Sequence, residues 1–295
     1  MAGVQAAFTT VARAYAVALA AALAAGLAAS FVADLDHPLA VALVADVAAT
    51  LVVFGWSVAY RNSSFYDPYW SVVPIALAIY WIAVAQGAVE ARQALVLLLV
   101  AVWGVRLTWN WARGWRGLEH EDWRYVDLQR KTGRAYWLVS FLGIHLMPTF
   151  WVFGGMLGVW AAVCEPGEPL GPLDALATLL TAGSIALEAG ADAQLRRHRL
   201  SQPPAGEFLK TGLWAWSRHP NYLGEMGFWW GLWLFGVSAA PQHWWTIAGP
   251  LAIALMFRCV SLPMIESRMR ERRPGFAEWA RRSSLVLPRP PRAAA

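Results

Sequence analysis

One kind of segment recurs along this chain: a run of about 20 apolar residues almost free of charge, the length a helix needs to cross the hydrocarbon core of a bilayer. About eight such runs lie at approximately 11–32, 39–60, 71–89, 93–112, 136–163, 171–191, 222–240 and 245–262. The third is opened by Pro74 and closed by Gln86 and Gly87. Charged residues make up 15% of the chain, against about 25% in a soluble domain. The expected fold is all-α: a polytopic transmembrane helix bundle of about eight helices with a short amphipathic cytoplasmic C-terminal tail. No repeat and no soluble domain interrupts the pattern.

Arginine sets the orientation. Basic residues gather in the connections 113–134 and 192–218 and in the tail after 262, whereas 33–38, 164–174 and 238–243 are short and acidic or neutral. With eight spans every basic segment falls on one side, the cytoplasmic side by the positive-inside rule. The net charge of +5 therefore points to loops facing a membrane and not to nucleic acid. The expected setting is multi-pass, in a bacterial inner membrane, with the C-terminus cytoplasmic. The N-terminal run resembles a signal peptide in its small residues, but is long enough to span and is read as an uncleaved helix. The tail mixes arginines with Met269, Phe276 and Trp279, as in a stretch lying along a membrane surface. Cys164 and Cys259 have no metal or redox spacing and are expected at opposite faces, unbridged. No metal-binding motif is present.

Polar groups at the basic ends of apolar helices are the functional candidates, because ionisable residues there are expensive unless paired or wet. In NSSFYDPYW, Asp67 beside Tyr66 is either a helix cap or a neutral carboxylic acid in an aromatic pocket, able to donate to a carbonyl. In RLTWNWARGWR, Arg106, Asn110 and Arg113 share one helix face. They read either as snorkelling side chains or as a phosphate-facing stripe. In EAGADAQLRRHRL, Glu188, Asp192, Arg196 and Arg199 make a ladder of helix ion pairs or a set of ligand contacts. In SRHPNYLGE, Pro220 suits the start of a helix, and Asn221 and Glu225 share a face. Capping accounts for Pro220 but not for Glu225, one turn into an aromatic helix. Nineteen tryptophans exceed what interfacial belts need, and some are expected to line a cavity for a flat apolar ligand.

The block ADAQLRRHRLSQPPAGEFLKTGLWAWSRHPNYLGEMGFWWGLWLFG and the tail LPMIESRMRERRPGFAEW resemble bacterial membrane proteins grouped with steroid 5-alpha-reductases. The resemblance runs from about residue 62 to 288, so residues 1–60 are read as N-terminal transmembrane helices and 61–295 as the reductase-like domain. A shorter form, RHP-x-Y-x-G, also occurs in isoprenylcysteine carboxyl methyltransferases, which share the architecture. The resemblance implies an enzyme, an oxidoreductase using NADPH to reduce an enone. It implies that Asn221 and Glu225 lie at the nicotinamide end, that Asp192 and Arg199 hold the cofactor with Arg106, and that Asp67 matches the catalytic glutamate, with Tyr66 before it. The family's catalytic tyrosine falls on Trp103, which cannot deliver a proton; Tyr66, Tyr69 and Tyr80 are the alternatives. A late tyrosine of the cofactor site falls on Glu266.

Three functions are carried forward. The first is an NADPH-dependent reductase of a lipophilic, steroid-like or isoprenoid-like substrate, with Asp67, Tyr66 and Glu225 at the chemistry and Arg106, Asp192, Arg199, Arg218, His219, Asn221, Glu225 and Glu266 around the cofactor. The second is an S-adenosylmethionine-dependent methyltransferase, its cofactor held by the Arg218-His219-Pro220 knot and Glu266. The third is a non-enzymatic lipid-binding membrane protein.

Overall fold

A computed structural model of the chain describes residues 2–33 and 35–290; Asp34 of the first acidic connection and Arg292 of the tail lie outside them. Every ordered element among the described residues is helical. The first is α1 (Ala2–Val32), followed by α2 (Pro38–Tyr60). A 3₁₀ turn, Ser63–Tyr66, then leads into α3 (Tyr69–Val84) and α4 (Glu90–Ala112). A surface helix, α5 (Trp123–Thr132), precedes α6 (Tyr136–Ser140), which passes through a π turn, Phe141–Leu146, into α7 (Met147–Val163). Next come α8 (Pro172–Leu200), the single turn α9 (Leu213–Trp216) and α10 (Pro220–Ala239). The chain ends with α11 (Ala248–Met256), a π turn at Phe257–Ser261, α12 (Leu262–Arg272) and α13 (Phe276–Arg282).

Among the described residues seven helical stretches are long and apolar enough to cross a membrane, so the chain is a multi-pass membrane bundle. The eighth expected span, α10, is a helix of 20 residues, but tryptophan, glycine and a buried glutamate take many of the places that aliphatic side chains hold in the other spans. It is packed chiefly against α8 and α7, so its polarity meets protein and not lipid.

Several boundaries differ from the sequence expectation. Pro74 lies inside α3 and does not open it, because the 3₁₀ turn and Pro68 start the helix five residues earlier. The helix expected at 171–191 continues to Leu200, which carries the Glu188–Arg199 ladder on rigid backbone. The tail packs on protein: Phe276 is buried with its ring 5.3 Å from Phe208, and Arg268 sits 3.7 Å above the Trp123 ring. Both cysteines are free, Cys164 buried and Cys259 exposed.

The two ends of the bundle are chemically distinct, as the arginine pattern requires. At one end gather the 3₁₀ turn, α5, the 200–218 connection and the tail. At the other, Arg92 at the start of α4 donates from Nε and Nη2 to Asp174 at 2.7 and 3.0 Å. Asp174 also accepts from the Gly171 amide at 2.9 Å and the Ser238 hydroxyl at 2.7 Å. This cluster ties α4, α8 and α10 together where the charges are sealed from solvent.

Removing one partner of a buried pair leaves the other uncompensated. Arg92→Ala is therefore expected to cost about 3–5 kcal/mol, read as a large drop in unfolding temperature in detergent. Glu90→Ala, exposed on the first turn of the same helix, should shift it far less.

Candidate functional site

The polar stripe of α4 meets the ladder of α8. Arg106 places Nη2 2.5 Å from Glu188 Oε2 and Nη1 2.9 Å from Asp192 Oδ2. Asn110 donates to the same Asp192 oxygen at 2.9 Å, and Arg113 donates to Asn110 Oδ1. Helical spacing on both partners makes this possible, since residues 106, 110 and 113 form one face and residues 188 and 192 another.

Glu225 joins from α10. Its Oε2 accepts from the Trp103 indole at 2.9 Å and its Oε1 from the Trp229 indole at 2.8 Å. It faces Glu188 directly. That approach depends on glycine: a Cβ at Gly224 would stand 2.7 Å from Glu188 Cβ, and Gly227 and Gly231 meet Ser184 and Thr181 in the same way. Trp103 is fully buried and stacks on Phe228, with centroids 4.4 Å apart and planes at 12°.

Above this network, between the last turns of α4 and α8, opens a cleft of about 690 Å³. Asp192 and Asn110 line its polar floor, Arg113, Arg116, Arg196 and Arg199 its walls, and Trp111 and Trp115 one side. The two indoles stack at 4.9 Å, with both N–H groups unpartnered. Among the described residues none of the four wall arginines pairs with a carboxylate within 4 Å. Unpaired guanidinium groups converging on one concavity are suited to bidentate binding of phosphate oxygens.

Asp67 sits across α3 from this network. Its Oδ1 accepts from the Tyr125 hydroxyl at 2.6 Å, beside the Arg124–Asp122 pair at 2.8 Å. Trp70, one turn on, meets Trp103 edge to face at 5.9 Å, so Asp67 and Glu225 flank one aromatic pair. Tyr222, on the first turn of α10, packs its ring edge to face on His219 at 5.7 Å and on Phe257 at 4.8 Å. Tyr66 points elsewhere, its hydroxyl 2.8 Å from Thr149 Oγ1. At the rim, burial pushes the Glu121 carboxyl up, while the Ser63 amide and Tyr136 hydroxyl bonded to it pull it back.

The knot at the mouth of α10 closes mainly on itself. Glu266 Oε1 takes Arg218 Nε at 2.9 Å and His219 Nε2 at 2.8 Å. Arg218 Nη1 reaches the carbonyls of Ala280 and Ser283 at 2.8 and 2.5 Å, and its amide donates to Ser284 O at 2.9 Å. Arg218, His219 and Glu266 thus staple the tail over the basic end. Asn221 differs: its Oδ1 is buried and has no partner.

The sequence-derived residues therefore fall into three groups. Asp192 and Arg199 line the cleft, Arg106 and Glu225 belong to the buried network beneath it, and Arg218, His219 and Glu266 form the staple. Asp67 and Tyr66, adjacent in sequence, face different partners. Of the tryptophans, Trp111 and Trp115 line the polar cleft, and Trp230 lines a second, apolar cleft of about 620 Å³ beside Leu223 and Met226. Trp81, Trp103, Trp160 and Trp229 are packed core. Sequence reasoning missed Tyr125 as the partner of Asp67 and Trp229 as a partner of Glu225. It also missed Asp46, a carboxyl inside the second apolar run, which its rarity there would have revealed.

The family described as "Protein of unknown function (DUF1295)" matches residues 53–283. The chain is 28% identical over 246 residues to "Uncharacterized protein C594.04c" of Schizosaccharomyces pombe (strain 972 / ATCC 24843), covering 75% of this chain and 72% of that one. No solved structure matches the chain significantly.

Gly224→Ala inserts a methyl group where Glu188 Cβ and Ser184 O already stand. Overpacking of this kind costs about 1–3 kcal/mol. A lower unfolding temperature is expected, together with displacement of Glu188 from Arg106, visible as a changed Trp103 and Trp229 fluorescence environment.

Proposed function

Since the chain belongs to the family described as "Protein of unknown function (DUF1295)", a description that assigns no activity, its chemistry is argued from the site, and we propose an NADPH-dependent membrane reductase of a lipophilic enone. The observation that carries this reading is the cleft of unpaired arginines whose floor, Asp192, is tied through Arg106 to the buried Glu188. A dinucleotide needs that succession: cations for its phosphates, an acidic or amide group for its hydroxyls, and then a dry interior.

The residues fit the cofactor on two counts. Arg113, Arg116, Arg196 and Arg199 offer phosphate-binding groups that no protein carboxylate has claimed, with the stacked Trp111 and Trp115 faces beside them. Asn221 keeps a buried, unpartnered oxygen, matched to the N–H of a carboxamide. When bound, NADPH supplies the hydride that adds to the β carbon of an enone.

The chain's own groups do the rest. Trp103 and Trp229 hold both oxygens of Glu225 and fix its orientation. Trp70 and Trp103 exclude water between Glu225 and Asp67. Asp67, in its protonated form and with one oxygen held by Tyr125, donates a hydrogen bond from the other to the substrate carbonyl and spreads the enolate charge as it forms. The basic end of the bundle faces the cytoplasm, where the cofactor is available.

The methyltransferase reading needs Arg218, His219 and Glu266 free for S-adenosylmethionine, and these are engaged with one another and with the tail. The reductase reading gives up the same three residues as cofactor contacts but keeps the arginines of the cleft, which weighs toward it. In detergent NADPH should raise the unfolding temperature, since a ligand stabilises by RT ln(1 + [L]/Kd), and S-adenosylmethionine should not. Arg199→Ala and Asn221→Ala should each weaken NADPH binding by roughly tenfold, about 1.4 kcal/mol. Equal affinity in the wild type and both variants would refute the assignment.

A further inference from the structure

The flank of α10 turned away from Glu225 carries a site that the proposed reduction does not use. Leu223, Met226, Gly227 and Trp230 recur at helical spacing and share one face. Glu225 and Trp229, which meet Trp103, lie on the other. The first face lines the apolar cleft of about 620 Å³, together with Ala254 of α11 and Val286 and Leu287 of the tail. Among the lining residues Arg258 alone is charged.

The cleft is polarised along its length. The rings of Tyr222 and Phe257 pack at 4.8 Å, so Arg258 stands level with Leu223 on the first turn of α10, at the basic end. A Cβ at Gly155 would meet both Ile253 and Trp229, so Ala254 and Trp230 stand level with each other deeper in the bundle. From Leu223 to Trp230 the helix descends about 10 Å at 1.5 Å per residue. The tail closes the shallow end. The Arg218 amide donates to Ser284 O and the Arg289 amide to Trp216 O, each at 2.9 Å, which pins Val286 and Leu287 beside the mouth of α10.

Arg258 is exposed and, among the described residues, pairs with no carboxylate within 4 Å. It sits in the π turn Phe257–Ser261 of the spanning stretch Pro241–Arg272, and π turns recur at functional sites. An arginine in a spanning helix is costly unless water or an anion meets it, and its fork matches phosphate oxygens. A cation at the membrane-surface end and an apolar trough below it fit an amphiphile standing in the leaflet at the basic end. The volume lies within the range of about 300–1,000 Å³ typical of small-molecule sites. The arginines that follow on α12, Arg268, Arg270 and Arg272, favour a headgroup of net negative charge over a zwitterionic one. We propose that this cleft binds an anionic phospholipid, its phosphate on Arg258 and one acyl chain along Leu223, Met226 and Trp230.

Photolabelling of the delipidated full chain in detergent tests this without any cofactor, so its outcome is separate from that of the NADPH experiment. Phosphatidylglycerol with a diazirine in one acyl chain should label the stretches 223–230 and 254–262, mapped by peptide mass spectrometry. Unlabelled phosphatidylglycerol should compete, whereas phosphatidylcholine with the same chains, and oleate, should each compete roughly tenfold more weakly. Arg258→Gln should lower the labelling by roughly tenfold. Ala254→Phe, which fills the deeper end and keeps the cation, should lower it as well. Arg13→Gln, at an exposed arginine of α1, should leave it unchanged. Labelling that ignores both cleft variants, or that misses these stretches, overturns the proposal. Equal competition by phosphatidylcholine or oleate overturns it in favour of a neutral lipid or a fatty acid, and a stable dimer in place of labelling overturns it in favour of a second copy of the chain.

Discussion

The close approach of α8 and α10 governs the interior. Lipid tails are as apolar as leucine, so helices in a bilayer associate through packing and hydrogen bonds rather than expulsion of water. Gly224, Gly227 and Gly231 reduce one side of the α8–α10 contact to backbone, and Glu188, Ser184 and Thr181 fill the space. The consequence is chemical as well as steric. Two carboxyl groups, Glu188 and Glu225, are brought face to face where water does not reach, and such a pair persists only if its polar atoms are met. Two indole N–H groups meet Glu225 and one guanidinium meets Glu188. Arg106 then has a second fork to spend and takes Asp192, which becomes the floor of the cleft.

The two ends of the bundle use arginine in opposite ways. At the far end Arg92 is locked onto Asp174, whose carboxylate also takes the Gly171 amide and the Ser238 hydroxyl. At the basic end the staple of Arg218, His219 and Glu266 is similarly internal, but the walls of the cleft are not. Arg113, Arg116, Arg196 and Arg199 share one nearby carboxylate, Asp192, already held by Arg106. A concavity with surplus positive charge and low-dielectric walls focuses its field on small anions. Ligand binding is expected where charge is left unpaired.

How legible this was in the sequence depends on the range of the interaction. The spans and the start of α10 at Pro220 follow from local composition, and they hold. The α4 stripe and the α8 ladder were also readable, because helical spacing fixes which residues share a face. Their mutual contact was not, since it depends on which helices pack together. Helix ends were misjudged where a local signal was overridden: Pro74 is tolerated inside α3 because the 3₁₀ turn has already started the helix. The tail was read as a membrane-surface segment from its mixture of arginine and aromatic residues, yet Phe276 packs on Phe208 and Arg268 on the Trp123 ring. Tyr125 was invisible because nothing in α5 distinguishes a phenol that reaches Asp67 from one that faces water.

Trp103 bears on where protons come from. An indole N–H donates a hydrogen bond but does not release its proton, so Trp103 can orient Glu225 and nothing more. The aromatic wall it forms with Phe228 and Trp229 therefore has no dissociable hydrogen. Dissociable O–H and N–H groups lie instead on the α2, α3 and α7 side, in Tyr66, Tyr69 and His145, and at Tyr125 beside Asp67. In the proposed reduction the dissociable group facing away from that wall is Asp67, set in the turn before α3 and bonded to Tyr125.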